Sequence, residues 1–361
     1  MQKTITFKSL TGVVFSLMWL GLAVPDLAPA QTNPPALNFI SEIKGDVQIK
    51  RSQWKSYHKA NVGDLLNFSD QLQLRTGASA KVMCSNLSVW HLRGNSLAKV
   101  ADGCSSGILT VIRPGHRTNT RSPSNSIPYI ISPRNTALLN NRPILRWNGV
   151  PGATRYKVQV KDAGLSLDWQ TETSNTQIEY PGQPVLQPNF SYLLTVETNK
   201  GDSSREDGVK LNFTLLDTQT AESVRTKVAI LKQQKLTHEA EGLGLAYLYQ
   251  SYNLKSEAIN LLEDLVKRGS QTSAVYQFLG DLYLQVGLSK ESKISYIKAL
   301  EQAKLNKDIE GQAEAQVQLG LTENDLNNKT EATRWLTQAQ TNYQKLGDTI
   351  RYEEVKQWIN K

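Results

Sequence analysis

The chain has 361 residues and carries 41 Lys and Arg against 33 Asp and Glu, a formal charge of +8. That length allows two or three domains with cores of their own. The basic excess is dispersed, without a run of five or six like charges, so neither a nucleic-acid footprint nor a polybasic membrane patch is expected.

The N-terminus sets the compartment. Lys3 and Lys8 precede a charge-free run from Leu10 to Val24, Pro25 breaks it, and Ala28-Pro29-Ala30 puts small residues where a signal peptidase reads. This is the layout of a secretory signal peptide over residues 1–30, with cleavage expected before Gln31. The apolar run is shorter than the roughly 20 residues of a spanning helix, so an uncleaved membrane anchor is the alternative. The expected location is periplasmic or secreted. Export permits a disulfide between Cys84 and Cys104, with two buried thiols as the alternative. With His91 those cysteines make an incomplete metal set, and no metal is expected.

Residues 31–113 read as the first β domain. Val47 and Ile49, Leu72 and Leu74, Val82 and Cys84, and Trp90 and Leu92 alternate with polar neighbours. Gly45-Asp46, Gly63-Asp64, Gly77, Arg93-Gly94-Asn95 and Asp102-Gly103 supply turns, as in a small antiparallel roll or sandwich. Gly45-Asp46-Val47, the Gly63-Asp64-Leu65-Leu66 turn and Thr76-Gly77-Ala78-Ser79-Ala80 resemble the FecR-type β domain over about 75 residues. That family senses transport events and signals across a membrane. Here only the signal segment precedes the β domain, so the fold alone is expected to carry over.

Residues 114–128, rich in Arg, Ser, Asn and Pro, read as a linker. Residues 129–216 return to strand alternation in Ile144 to Trp147, in Tyr156, Val158 and Val160, in Tyr192, Leu194 and Val196, and in Leu211, Phe213 and Leu215. Ser132-Pro133, Trp147, the approach from Gly152 to Tyr156, and Tyr192 resemble a fibronectin type III or immunoglobulin-like sandwich. The resemblance implies a tyrosine-corner role for Tyr192 and a core role for Trp147.

From Thr218 the period becomes helical, over a domain spanning 217–361. Leu245, Ala246, Tyr249, Ala258, Leu262 and Leu265 recur after 34 residues as Leu279, Gly280, Tyr283, Ser292, Tyr296 and Ala299. A third copy, six residues late, reads Leu319, Gly320, Glu323, Ala332, Leu336 and Ala339. The pattern resembles the tetratricopeptide repeat, with units at about 239–272, 273–306 and 313–346, a capping helix at 349–359 and another at 220–236. Gly280 is expected to face Ser292, and Glu323, lacking the usual aromatic ring, to leave looser packing. The overall expectation is a multidomain chain: a FecR-like roll, an Ig/FnIII-like sandwich and an all-α tetratricopeptide solenoid.

Such solenoids bind partners in the groove lined by the first helix of each unit. The resemblance assigns that role to Leu243, Tyr247, Gln250, Gln277, Asp281, Gln285, Glu314, Val317, Leu321 and Asn324. With no Lys or Arg among them, they suit a basic or neutral peptide or loop. Ser96-Leu97-Ala98-Lys99 spells S-x-x-K, but on an expected strand and without its partner motifs. No zinc-protease, nucleophile-elbow or phosphate-loop pattern occurs, so neither catalysis nor a cofactor is expected. The leading expectation is an exported adaptor holding a protein partner. An envelope glycan-binding module and a membrane-anchored sensor are the alternatives.

Overall fold

The computed structural model describes residues 37–110, 124–162, 164, 166–207 and 211–360. The signal segment, the cleavage point at Gln31 and most of the expected linker lie outside the described residues.

Eight short strands build the first β domain: β1 (Asn38–Lys44), β2 (Val47–Lys50), β3 (His58–Lys59), β4 (Leu65–Leu66), β5 (Gln71–Leu74), β6 (Ser79–Met83), β7 (Val89–Arg93) and β8 (Ser96–Lys99). They pair antiparallel in two four-stranded sheets, β4-β1-β6-β7 and β3-β2-β5-β8. Alternation sets the register: Val47 opposes Leu74 and Ile49 opposes Leu72, and all four point into the core between the sheets. Gly45 sits at φ +77°, where an added Cβ would press on the Ala78 backbone at 3.1 Å, so the turn between β1 and β2 requires glycine. Cys84 and Cys104 are joined by a disulfide, with Cα atoms 5.3 Å apart, stapling the end of β6 to the segment after β8.

Strand β1 departs from simple alternation. Asn38, Phe39, Ile40 and Ser41 are all buried. Successive strand residues point to opposite faces, so both faces of this strand are covered. Ile40 enters the roll core, whereas Phe39 enters a cluster made largely of helix residues.

The second β domain has strands β9 (Ile130–Ser132), β10 (Thr136–Leu138), β11 (Ile144–Trp147), β12 (Tyr156–Asp162), β13 (Asp168–Thr173), β14 (Gln177–Glu179), β15 (Ser191–Thr198) and β16 (Asn212–Leu215). A five-stranded sheet, β10-β16-β15-β12-β13, faces a three-stranded one, β14-β11-β9. Among these pairings β10 with β16 is parallel and the rest are antiparallel. Trp147 is buried between the sheets, its ring edge-on to Tyr156 at 5.6 Å. The Tyr192 hydroxyl accepts from the Gln187 N–H at 2.6 Å, tying the start of β15 to the preceding loop as a tyrosine corner does.

Eight helices follow: α1 (Thr218–Gln233), α2 (His238–Ser251), α3 (Lys255–Lys267), α4 (Ser273–Gln285), α5 (Ser289–Leu305), α6 (Ile309–Asp325), α7 (Lys329–Leu346) and α8 (Thr349–Ile359). Helices α2/α3, α4/α5 and α6/α7 are stacked hairpins. Each turns through a left-handed residue, Asn253, Gly287 or Asn327. The same backbone bond closes each turn: Leu254 to Tyr249, Leu288 to Tyr283, and Asn328 to Glu323. Asp308 and Asp348 are N-caps, accepting from the Gly311 and Arg351 N–H groups at 2.8 and 3.0 Å. Helix α5, at 17 residues against 13 in α3, takes up much of the extra length of the third period.

Two packing expectations need correction. A Cβ on Gly280 would lie 2.6 Å from the Tyr296 ring, so the glycine faces Tyr296, one turn beyond Ser292. The large ring reaches into the space that Gly280 vacates. Glu323 does not loosen the third hairpin either. It is 1% exposed, pairs with Lys293 at 2.6 Å and accepts from Asn328 Nδ2 at 2.8 Å, so a salt bridge to the preceding hairpin replaces ring packing.

Gly280→Leu is expected to overpack Tyr296 and cost about 1–3 kcal/mol, read as a lowered melting temperature with the far-UV spectrum retained. For the disulfide, non-reducing mass analysis should find no alkylatable thiol. Replacing both cysteines by alanine should cost about 3 kcal/mol in urea unfolding, the loop entropy of a closure of this length.

Candidate functional site

Helices α2, α4 and α6 line one face of the helical stack. The chain's own roll occupies it. At the turn before β4, Gly63 has φ +91°, and an added Cβ would meet the Ala274 Cβ of α4 at 2.3 Å and the Leu243 side chain of α2 at 3.7 Å. The turn enters the groove because its apex has no side chain.

The apolar end of this seam grows from β1. Leu37, Phe39, Met83, Leu87 and Leu109 cluster with Leu243, Tyr247 and Phe278. The Phe39 and Tyr247 rings lie 5.7 Å apart, and Tyr247 stacks on Phe278 at 4.1 Å. The polar end is built on Arg51, just after β2. Its Nε and Nη2 donate to the two carboxylate oxygens of Glu310 in α6 at 3.0 and 2.8 Å. Its Nη1 donates to Asp70 at 2.6 Å and to the Leu65 carbonyl. Trp54 Nε1 and Gln53 Nε2 each donate to Asp348 at 3.1 Å, and Lys59 Nζ donates to the Asn306 carbonyl at 3.1 Å.

Burial opposes the Arg51 charge, but Glu310, Asp70 and Asp64 outweigh it and hold the guanidinium protonated. The carboxyls lean the other way. Burial pushes Glu310 up to about 7 against the pull of Arg51. Burial pushes Asp308 up to about 6, opposed by the Gly311 N–H. Asp64 is raised well above the usual carboxylate range by burial and by the charges of Asp308 and Glu310. One guanidinium stands among more carboxylates than it can neutralise.

A cleft of about 800 Å³ remains between roll and helices. Of the ten groove residues expected from sequence, Tyr247, Gln250, Gln277, Asp281, Glu314, Val317 and Leu321 line it. Leu243 is buried beneath Gly63, whereas Gln285 and Asn324 lie off the cleft. Gln277 Nε2 donates to Glu314 at 3.1 Å, linking α4 to α6 across the groove floor. The roll supplies Arg51, Lys59, Asn61 and Asp64 to the opposite wall. Sequence reasoning missed that wall. Its signal was the Gly63-Asp64 turn, together with a strand, Asn38 to Ser41, that has no purely solvent-facing position.

The sandwich docks on the same helices elsewhere. Arg146 grips Glu263 of α3 with two bonds of 2.7 and 2.8 Å, and the Tyr283 hydroxyl donates to the same carboxylate. The Ala137 N–H donates to the Asn253 carbonyl at 2.9 Å, and the Leu139 N–H to Glu257 at 2.9 Å. Tyr129 donates to Glu291 at 2.6 Å.

Ser96 and Lys99 lie at opposite ends of β8, and the Ser96 hydroxyl donates to the Arg93 carbonyl at 2.8 Å. His91 is exposed on β7. Among the described residues no group of three or more His, Cys, Asp or Glu is placed to hold a metal ion, and no helix is long and apolar enough to cross a membrane.

Comparison with family models and with curated proteins gives no match. Among solved structures, a crystal structure of MamA matches at 15% identity over 39% of this chain and 89% of that one, with a TM-score of 0.28. MamA MSR-1 C2 matches at 17% over 38% and 88%, with a TM-score of 0.27. BtubC (BKLC) from P. vanneervenii matches at 15% over 39% and 71%, with a TM-score of 0.27.

Arg51→Ala should leave Asp70 and Glu310 buried without their cation and cost about 3–5 kcal/mol in urea unfolding. Arg155→Ala, which breaks a pair whose side chains are 68% and 60% exposed, should cost less than about 1 kcal/mol in the same assay.

Proposed function

We propose that the protein is an exported, non-catalytic adaptor that holds an extended segment of a protein partner in the cleft between the roll and the helical groove. The roll is read as a FecR-type domain and the sandwich as a fibronectin type III or immunoglobulin-like one. The observation that carries the functional reading is the cleft itself. Seven expected groove residues converge on it, and its walls combine amides with Asp64, Asp281, Asp308, Glu310 and Glu314. Its cations are engaged within the protein: Arg51 by Asp70 and Glu310, Lys59 by the Asn306 carbonyl, Arg351 by Glu354. Such walls favour a segment bearing Lys or Arg over an acidic one.

The glycan reading is less well supported. Among the described aromatic residues of the two β domains only Phe190 is exposed, which offers a sugar ring no paired platform.

Selection of short displayed peptides on the full chain tests the adaptor reading. Lys- or Arg-containing sequences should be enriched, and Asp281→Lys should weaken them by about tenfold or more, the effect of reversing one partly buried charge. Enrichment without basic residues, or affinity indifferent to Asp281→Lys, would sink it.

A further inference from the structure

We propose that the contact between roll and groove is a clasp that closes by taking up protons and opens as pH rises, bringing together or parting the two walls of the cleft. The geometry carries the argument. The roll covers the face that α2, α4 and α6 would offer to a partner, with Gly63 seated against Ala274 and Leu243. At the polar end of the seam, carboxylates from both sides gather around few cations. The roll contributes Arg51, Lys59, Asp64 and Asp70. The α5–α6 turn and α6 contribute Asp308, Glu310 and Glu314. Beyond them stand Tyr343 of α7, Asp348 at the start of α8 and Arg351 in α8. Arg51 binds Glu310 and Asp70 directly, leaving Asp64 and Asp308 without a directly bonded cation.

Bringing these walls together confines like charges in a poorly solvated seam, and protonation relieves the repulsion. Burial then the charges of Asp308 and Glu310 raise Asp64, while burial raises Asp308 to about 6 and Glu310 to about 7. A carboxyl with a higher pKa docked than undocked favours docking fully below its undocked value. That contribution is lost as pH rises through the docked value. For Asp308 the loss falls between about pH 4 and about pH 6. Glu310, gripped by Arg51 through two N–H bonds, already has its countercharge and is not among the groups that protonate to close the seam. The apolar contacts of Phe39 and Leu37 are indifferent to pH and hold the seam when the clasp is protonated.

Small-angle scattering of the full chain from about pH 4 to about pH 8 tests this. The radius of gyration should rise as pH passes upward through that window while the far-UV spectrum stays unchanged. Asp64→Asn and Asp308→Asn replace carboxylates by neutral amides that keep the acceptor oxygen, and asparagine remains a good N-cap at 308. Each should hold the compact form to higher pH than the parent. A radius that stays flat over the range, or an opening that both asparagine variants leave in place, overturns the proposal. The link to partner binding rests on the adaptor reading and is separable from the clasp. If the chain opens but basic peptides bind equally tightly when closed and open, the adaptor reading falls and the clasp stands.

Discussion

Arg51 leaves the end of β2, holds Asp70 within its own domain and reaches across to Glu310 on α6. The position of the roll depends on that bridge and on the Phe39 contacts at the other end of the seam. A buried ion pair seldom adds much net stability, because both charges give up water, but it penalises every arrangement in which one partner is left alone. Its role here is registration. The bidentate fork accepts Glu310 in one geometry, while the Trp54 bond to Asp348 fixes the neighbouring edge. Apolar burial supplies the attraction, and the polar contacts select one docked pose.

The same division of labour recurs at the sandwich, where Arg146 and Tyr283 converge on Glu263. A stack of helical hairpins has two open flanks and cannot bury all of its apolar surface by stacking alone. In this chain α1 and α8 close the ends, and the two β domains cover parts of the sides. The helical domain therefore works first as an internal scaffold. Whatever it offers to another molecule is what its own β domains leave uncovered.

The fold class was legible in the sequence because strand and helix periods differ and the switch at Thr218 is abrupt. Recurrence of Leu245, Leu279 and Leu319 at fixed offsets revealed the helical repeat, since close helix packing restricts residue size at a few positions. Pairing between side chains was less legible. The sequence placed Ser292 opposite Gly280, but a tyrosine one turn on fills a glycine gap better than a serine can. Glu323 read as a missing ring because nothing in the pattern announces Lys293 on another helix. The roll in the groove was invisible for the same reason. Docking depends on surfaces meeting, and a residue such as Phe39 looks like any inward strand residue until its neighbour Ile40 is found buried on the opposite face.

The bonds that seat the roll also constrain the order of folding. Arg51 finds Glu310 at a sequence separation of 259, and Trp54 finds Asp348 at one of 294. A chain made from its N-terminus presents the roll long before α6 and α8 exist. The strands of the roll and both of its cysteines are then already present, with Phe39 and its apolar neighbours uncovered in the meantime. Contacts of such long range are slow to form and leave sticky surface exposed while they do. The interval between completing the roll and completing α8 is when this protein is most vulnerable to association with other copies of itself, and when a chaperone would have the most to shield.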